Sequence, residues 1–267
     1  MSAWTNTITH REQPVLRVSG LSKRYGDRIA VEDAAFEVYP GEVLAVVGES
    51  GSGKSTLLNC VSAQLKPDAG RVEFLTRHEG MVEIFAMSES QRRFIARTDW
   101  GFVHQNAEDG LRMHVSAGAN VGERLMALGQ RHYGELRREA VDWLSRVEVD
   151  ATRIDDLPAS FSGGMRQRLQ IARNLVTRPR LIFMDEPTSG LDVSGQARLL
   201  DLLRTLTRGL SLSAIIVTHD LAVARLLAHR MLVMKNGRIV ETGLTDQVLD
   251  DPQHPYTQLL VSSVLQP

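Results

Sequence analysis

A chain of 267 residues, 43% of them hydrophobic, is long enough to bury a large core, as one α/β domain or as one with an inserted subdomain. Its 31 basic and 32 acidic residues leave a net charge of −1, so no global field draws it to nucleic acid or to anionic lipid. A single cysteine, Cys60, excludes an internal disulfide and suits a reducing cytoplasm, and no apolar run approaches the length needed to cross a bilayer.

Residues 1 to about 13 are polar and unpatterned and read as a mobile leader, with no apolar stretch that would make a signal peptide. Val15-Leu16-Arg17-Val18 and Phe36-Glu37-Val38-Tyr39 read as strands, the second closed by Pro40-Gly41. Between them lies Lys23-Arg24-Tyr25-Gly26, where Tyr25 reads equally as a surface aromatic beside a turn or as a flat ring for a stacked nucleobase. Val43-Leu44-Ala45-Val46-Val47 is a buried strand that runs into Gly48-Glu49-Ser50-Gly51-Ser52-Gly53-Lys54-Ser55-Thr56. This is a phosphate-binding loop in its required strand–loop–helix setting, with Leu57, Leu58, Val61 and Leu65 expected on one face of the following helix. Its glycines let successive N–H groups turn toward phosphate oxygens at a positive helix end. Lys54 can reach the outer phosphates, and the Ser55 hydroxyl can ligate a magnesium ion that accompanies them.

After a turn at Pro67-Asp68-Ala69-Gly70, Val72-Glu73-Phe74-Leu75 and Gly101-Phe102-Val103-His104 read as further strands, the latter leading to Gln105. From Gln105 to Leu157 there is no proline, and Leu136, Ala140, Trp143, Leu144 and Val147 share one helical face, as in an all-helical insert. Ser162 is placed to cap a helix carrying Met165, Leu169, Ala172 and Val176 on its buried side, and Gly163 and Gly164 leave amides open at its start. Capping alone accounts for that start, but it is also the second anion-ready helix end in the chain. Leu181–Met184 is a buried strand ending in Asp185 and Glu186, at the sheet edge where open α/β folds bind ligands. Asp185 is placed to hold magnesium through water and Glu186 to polarise an attacking water. Ala214–Val217 leads to His219 at the same edge, a candidate phosphate contact. Asn236-Gly237 marks a tight hairpin, and the tail is a short helix carrying Leu259, Leu260 and Val264.

Together these segments resemble the ATP-binding subunits of ABC systems over nearly the whole chain. The resemblance implies an α/β P-loop fold of the ABC ATPase type: a mixed core sheet, an antiparallel β portion and an inserted helical subdomain at about 106–160. Residues 14–267 would form one domain, with a helical tail at about 246–267. It further implies that ATP binds between Tyr25 and the loop Gly48–Thr56, with magnesium at Ser55, Gln105 and Asp185. Glu186, His219 and Gln105 would be catalytic. Ser162, Gly163 and Gly164 match the signature loop that acts on a partner's ATP, and Asp192 the loop that crosses the dimer interface. Two positions depart from the family pattern, since Phe161 and Met165 stand where Leu and Gln are usual, although the Ser-Gly-Gly part is intact.

A narrower resemblance rests on Asp109-Gly110-Leu111-Arg112, Val115-Ser116-Ala117-Gly118, Gly122–Ala127 and Arg131-His132-Tyr133-Gly134. These are similar to the ATP-binding proteins of the carbon–phosphorus lyase pathway for phosphonate breakdown. That likeness implies a homodimer in the cytoplasm that docks on the lyase core subunits through the helical subdomain, at a basic surface with Arg112, His114 and Arg124. A second ABC-type protein could join, whereas nucleic acid and direct membrane insertion are not expected. The ending His254-Pro255-Tyr256-Thr257 is shared with oligopeptide-type importer ATPases. The alternative is therefore the ATPase of a peptide or phosphonate importer bound to a membrane permease.

Overall fold

The computed structural model describes residues 13–264, so the expected leader lies almost entirely outside the described residues. The chain opens with an antiparallel pair, β1 (Leu16–Tyr25) and β2 (Arg28–Val38), joined through Gly26-Asp27. β1 runs well past Val18, where the sequence pattern stops. A register shift between Val18 and Leu21, beside Gly20 at φ +62°, breaks the strict alternation and puts Leu21 back on the buried face. β3 (Val43–Val47) feeds the glycine loop into α1 (Lys54–Val61), which ends at Ser62, so Leu65 lies beyond the helix and packs from the following loop. β4 (Ala69–Leu75) and β5 (Met81–Glu83) complete a four-stranded antiparallel sheet in the order β2-β1-β4-β5.

α2 (Glu89–Thr98) is not among the elements expected from the sequence. It starts at a full capping box, with Ser88 Oγ accepting from the Gln91 N–H and the Gln91 side chain accepting from the Ser88 N–H. The Ser88-Glu89-Ser90-Gln91 spacing carried that signal. β6 (Trp100–Val103) follows, then α3 (Ala117–Ala127), α4 (Tyr133–Arg146), short 3₁₀ turns, and α5 (Gly163–Leu175). Leu136 packs at the margin of the core, while Ala140, Trp143, Leu144 and Val147 are buried in it with α3 and α5, as the helical periodicity implies.

β7 (Leu181–Asp185), α6 (Val193–Leu210), β8 (Ser213–Thr218), α7 (Leu221–Leu227), β9 (Arg230–Lys235), β10 (Arg238–Leu244), α8 (Thr245–Asp250) and α9 (Pro255–Val264) complete the described chain. The second sheet has the order β10-β9-β3-β8-β7-β6, parallel except for the β9–β10 hairpin. The hairpin turns at Asn236 and Gly237, both at positive φ (49° and 82°), as Asn-Gly predicts. β3 and β8 are buried at every residue and β7 at all but Asp185, which is why they read as continuous apolar runs. The tail is helical as expected; in α9 Tyr256, Thr257 and Val261 are buried and Leu260 packs beside them, whereas Leu259 is exposed.

Two features of this sheet position the chemistry. The parallel register sets Val47 beside Thr218 and Val217 beside Asp185, so the segments starting at Gly48, Glu186 and His219 leave the same edge. The outer edge of β6 is closed by side chains of α5. Asn174 exchanges two hydrogen bonds with Phe102 (3.0 and 2.9 Å), and Gln170 Oε1 accepts from the His104 N–H at 2.6 Å. The helix that begins at the Ser-Gly-Gly loop is thus tied directly to the strand that delivers Gln105.

Candidate active site

The loop after β3 can take its path only with glycine at two places. A Cβ at Gly48 would come within 2.2 Å of the Met234 carbonyl oxygen, and one at Gly53 within 2.1 Å of that of Ala30. Gly53 also sits at φ +108°. Gly53→Ala is therefore expected to cost about 2–4 kcal/mol, read in a thermal melt as a Tm about 5–15 °C lower, together with weakened nucleotide binding.

Lys54, only 7% exposed, folds back so that Nζ donates to the Gly48 and Glu49 carbonyls, both at 2.8 Å. Burial lowers its pKa, while the charges of Glu186, Asp185 and Glu49 oppose that shift. Its hydrogen-bond partners are neutral carbonyls, so the buried charge is left to be met by an anion. Ser55 Oγ donates to Asp185 Oδ1 at 3.1 Å across the sheet edge. Burial raises the Asp185 pKa, with Ser55 pulling the other way. Two oxygen donors this close, beside a phosphate cradle, fit a small hard cation that takes most of its remaining ligands from phosphate and water.

Glu186 holds a left-handed backbone (φ 44°) that a non-glycine residue adopts at a cost of about 1–3 kcal/mol. Its N–H donates to the Val217 carbonyl at 2.9 Å, and its carbonyl accepts from Ser189 N–H at 3.0 Å. Nδ1 of His219 lies 2.9 Å from each oxygen of the Glu186 carboxylate. The imidazole is 71% exposed and the carboxylate 13%, so the ring fixes the carboxylate from the solvent side. Gln105 Nε2 donates to Ser189 Oγ at 3.1 Å, on the segment that follows Glu186.

These groups surround a cavity of about 680 Å³. Tyr25, Ser50, Gly51, Gly53, Lys54, Ser55, Thr56, Gln105, Glu186 and His219 all line it, so the structure gathers ten of the singled-out residues in one space. Gly48, Glu49, Ser52 and Asp185 stand behind that lining. Gly48 makes the close approach, Ser52 is buried, and Glu49 turns its N–H away from the cavity to Tyr256 Oη at 3.0 Å. Arg28 and Ala30 also line the cavity and were not singled out from the sequence. The tight Gly26-Asp27 turn pairs Arg28 with Tyr25 across the strands, and Arg28 Nη2 donates to the Gly51 carbonyl at 3.3 Å. A basic residue just past a two-residue turn beside the aromatic was the available signal.

Ser162, Gly163, Gly164 and Asp192 lie outside this cavity. Ser162 Oγ accepts from Met165 N–H at 3.3 Å and Asp192 Oδ1 from Gly195 N–H at 2.6 Å, capping α5 and α6. A Cβ at Gly163 or Gly164 would meet nothing nearer than a Leu191 methyl, at 4.0 or 3.8 Å, so space within the chain does not require glycine at either. Phe161 and Met165 have local partners: Arg153 lies 4.5 Å over the buried Phe161 ring and within 3.5 Å of Met165 Sδ. The departures from the usual Leu and Gln are tied into the helical region through that guanidinium.

Of the three basic residues expected at a docking surface, Arg112 and His114 are exposed. Arg112 is paired with Glu123 at 2.7 Å. Arg124 corrects the expectation. It turns inward to the Trp100 carbonyl, and burial lowers its pKa to about 10. Glycine in this stretch serves packing, since a Cβ at Gly118 would lie 2.4 Å from Ile154 Cγ1 and one at Gly110 2.2 Å from Gln170 Oε1. Cys60 is fully buried in the core on α1, which pushes its thiol up to about 11 and makes it inert.

The ABC transporter family matches residues 31–189, and the C-terminal region of oligopeptide/dipeptide transporters matches residues 240–267. The phosphonates utilization ATP-binding protein PhnK of Escherichia coli (strain K12) is 63% identical over 254 residues, 95% of this chain and 99% of that one. A peptide import ATP-binding protein of Brucella abortus (strain 2308) is 37% identical over 268 residues, 97% of this chain and 79% of that one. Among solved structures, the dimeric post-hydrolysis state of the ATP-binding cassette MJ0796 bound to ADP and Pi superposes with a TM-score of 0.76 at 28% identity, covering 86% of this chain and 98% of that one. CbiO1 of Clostridium perfringens, part of the ABC transporter complex cbiONQ, gives a TM-score of 0.77 at 28% identity, over 90% and 92%. A glycine cradle, a carboxylate pair and a histidine gathered at one edge of a parallel sheet, with these relatives over nearly the full length, place the chain in the ABC transporter family as an ATPase of the ABC type.

Proposed function

We propose that this chain is the ATP-hydrolysing subunit of the carbon–phosphorus lyase machinery for phosphonate breakdown, working in the cytoplasm as a nucleotide-sandwich homodimer. The observation that carries the reading is the 63% identity, over almost the whole of both chains, to a phosphonates utilization protein, against 37% to a peptide import protein. ATP sits against Tyr25 with its phosphates on the Gly48–Thr56 loop. Ser55, Gln105 and Asp185 hold the magnesium ion, which supplies charge neutralisation on the phosphates when bound. Glu186 orients the attacking water, and His219 keeps its carboxylate in place.

The dimer reading rests on what the cavity lacks and the surface offers. Phosphoryl transfer is catalysed by positioned donors around the triphosphate. In one chain Ser162 and Gly164 lie outside the cavity, and space within the chain does not require glycine at Gly163 or Gly164. Val193, 84% exposed next to Asp192, leaves an apolar side chain open to a second subunit. Closure on ATP and opening after hydrolysis then follow from differential affinity for the γ-phosphate.

Docking on the lyase core is assigned to the helical subdomain, at Arg112 and His114. Arg112→Glu places a carboxylate against Glu123 and reverses the charge presented outward. Co-purification with the core subunits is expected to fall at least about tenfold, with ATP binding unchanged. Full yield of the complex with that variant would refute the contact surface. One observation favours a second reading, the C-terminal match to oligopeptide/dipeptide transporters over residues 240–267. Purification of the tagged chain with its partners separates the two: lyase core subunits in the first case, a multi-spanning permease in the second. No helix among the described residues is long and apolar enough to cross a membrane.

A further inference from the structure

The phosphate loop is built by residues 48–56, yet one of its amides is satisfied from the far end of the chain. Glu49 N–H donates to Tyr256 Oη at 3.0 Å, across 207 positions of sequence. Tyr256 is 4% exposed in the first turn of α9, with Lys235 Nζ 4.6 Å from its ring centroid. The start of α9 is itself anchored. The Glu241 carboxylate on β10 accepts from Gln253 N–H at 2.8 Å and from His254 N–H at 3.0 Å, and His254 Nδ1 accepts from Tyr256 N–H at 3.1 Å. The hairpin bearing Lys235 and Glu241 reaches the loop as well, through Gly237 N–H to the Ser52 carbonyl at 2.8 Å.

A cradle works when its phosphate-facing amides are already oriented before the ligand arrives. An amide that points the other way must find an acceptor, or the loop will rotate to satisfy it. Glu49 N–H is such an amide, at the second position of the loop, and the buried phenol of Tyr256, on a helix start anchored by Glu241 and His254, supplies the acceptor. We propose that Tyr256 is a positioning residue of the nucleotide site, through which the C-terminal helix holds the phosphate loop in its ATP-ready shape. The tail thereby becomes part of the ATP site, although no tail residue among the described residues lines the cavity, and displacement of α9 by a bound partner would loosen nucleotide binding.

The test is Tyr256→Phe, which removes one oxygen and leaves the ring against Lys235. KM and Kd for Mg-ATP are expected to rise about 3- to 10-fold, the size of one lost hydrogen bond, with kcat at saturation within about twofold. Leu259→Ala, at an exposed site on the same helix, controls for the tail in general and should change neither constant. Unchanged KM and Kd in Tyr256→Phe would overturn the proposal, whether or not Tm falls. So would an equal rise in Leu259→Ala. The inference rests on the ATPase reading, and the failures are distinguishable: absence of ATP binding by the unaltered chain would refute that reading, and equal binding by the two proteins would refute only this one.

Discussion

Glu186→Gln is expected to lower steady-state ATP hydrolysis about 10²- to 10⁴-fold, the range a positioned base or water-orienting group contributes, while Mg-ATP remains bound. The amide keeps the size and the backbone of the native residue, so the left-handed conformation at φ 44° and the bond to Val217 persist. What is lost is the charge that polarises water and the symmetric grip of His219 Nδ1 on two carboxylate oxygens. In the proposed sandwich dimer hydrolysis is the opening step, so the variant is expected to accumulate as dimers in Mg-ATP and revert to monomers when nucleotide is removed. Turnover measured in the purified complex and light scattering with and without ATP check both parts. Turnover within a few-fold of the unaltered chain would mean that another group orients the water.

Lys54→Ala is expected to weaken Mg-ATP binding about 10- to 100-fold, as judged by equilibrium binding, with hydrolysis falling accordingly. A hydrogen bond to a charged partner is worth about 1.5–3 kcal/mol, and Lys54 is the cation buried within the cradle, since the other lining cation, Arg28, is exposed. The fold should survive. Without nucleotide the buried ammonium is held by two backbone carbonyls, both at 2.8 Å. Removing a charge that burial disfavours changes Tm little. Undiminished ATP affinity would remove Lys54 from the site, and a large fall in Tm would assign it a structural role.

The chemistry was legible in the sequence because it is written locally. A buried strand, a glycine loop and a Lys-Ser pair occupy fourteen consecutive positions or fewer, and the carboxylate pair and His219 each follow an unbroken apolar run. Their convergence on one edge follows from parallel pairing of fully buried strands. What stayed hidden depends on contacts far apart in sequence or on broken periodicity. A bulge near Gly20 concealed the second half of β1, and hairpin pairing brought Arg28 beside Tyr25. Arg124 reads as a surface cation on an amphipathic helix, but the Trp100 carbonyl draws it inward. Likewise the role of Tyr256 on α9 is hidden in the sequence, because its partner is a loop amide 207 positions away. Gln170 and Asn174, which close the edge of β6, look like ordinary polar positions of a helix until the strand is set against them.

The most direct measurement is a structure of the Glu186→Gln chain with Mg-ATP, alone or on its partner complex. Two subunits facing one another are expected, each triphosphate lying on residues 48–56 of one copy and meeting Ser162 and Gly164 of the other. A lone subunit that surrounds the whole triphosphate with its own donors, and whose unaltered form turns over at full rate as a monomer, would contradict it.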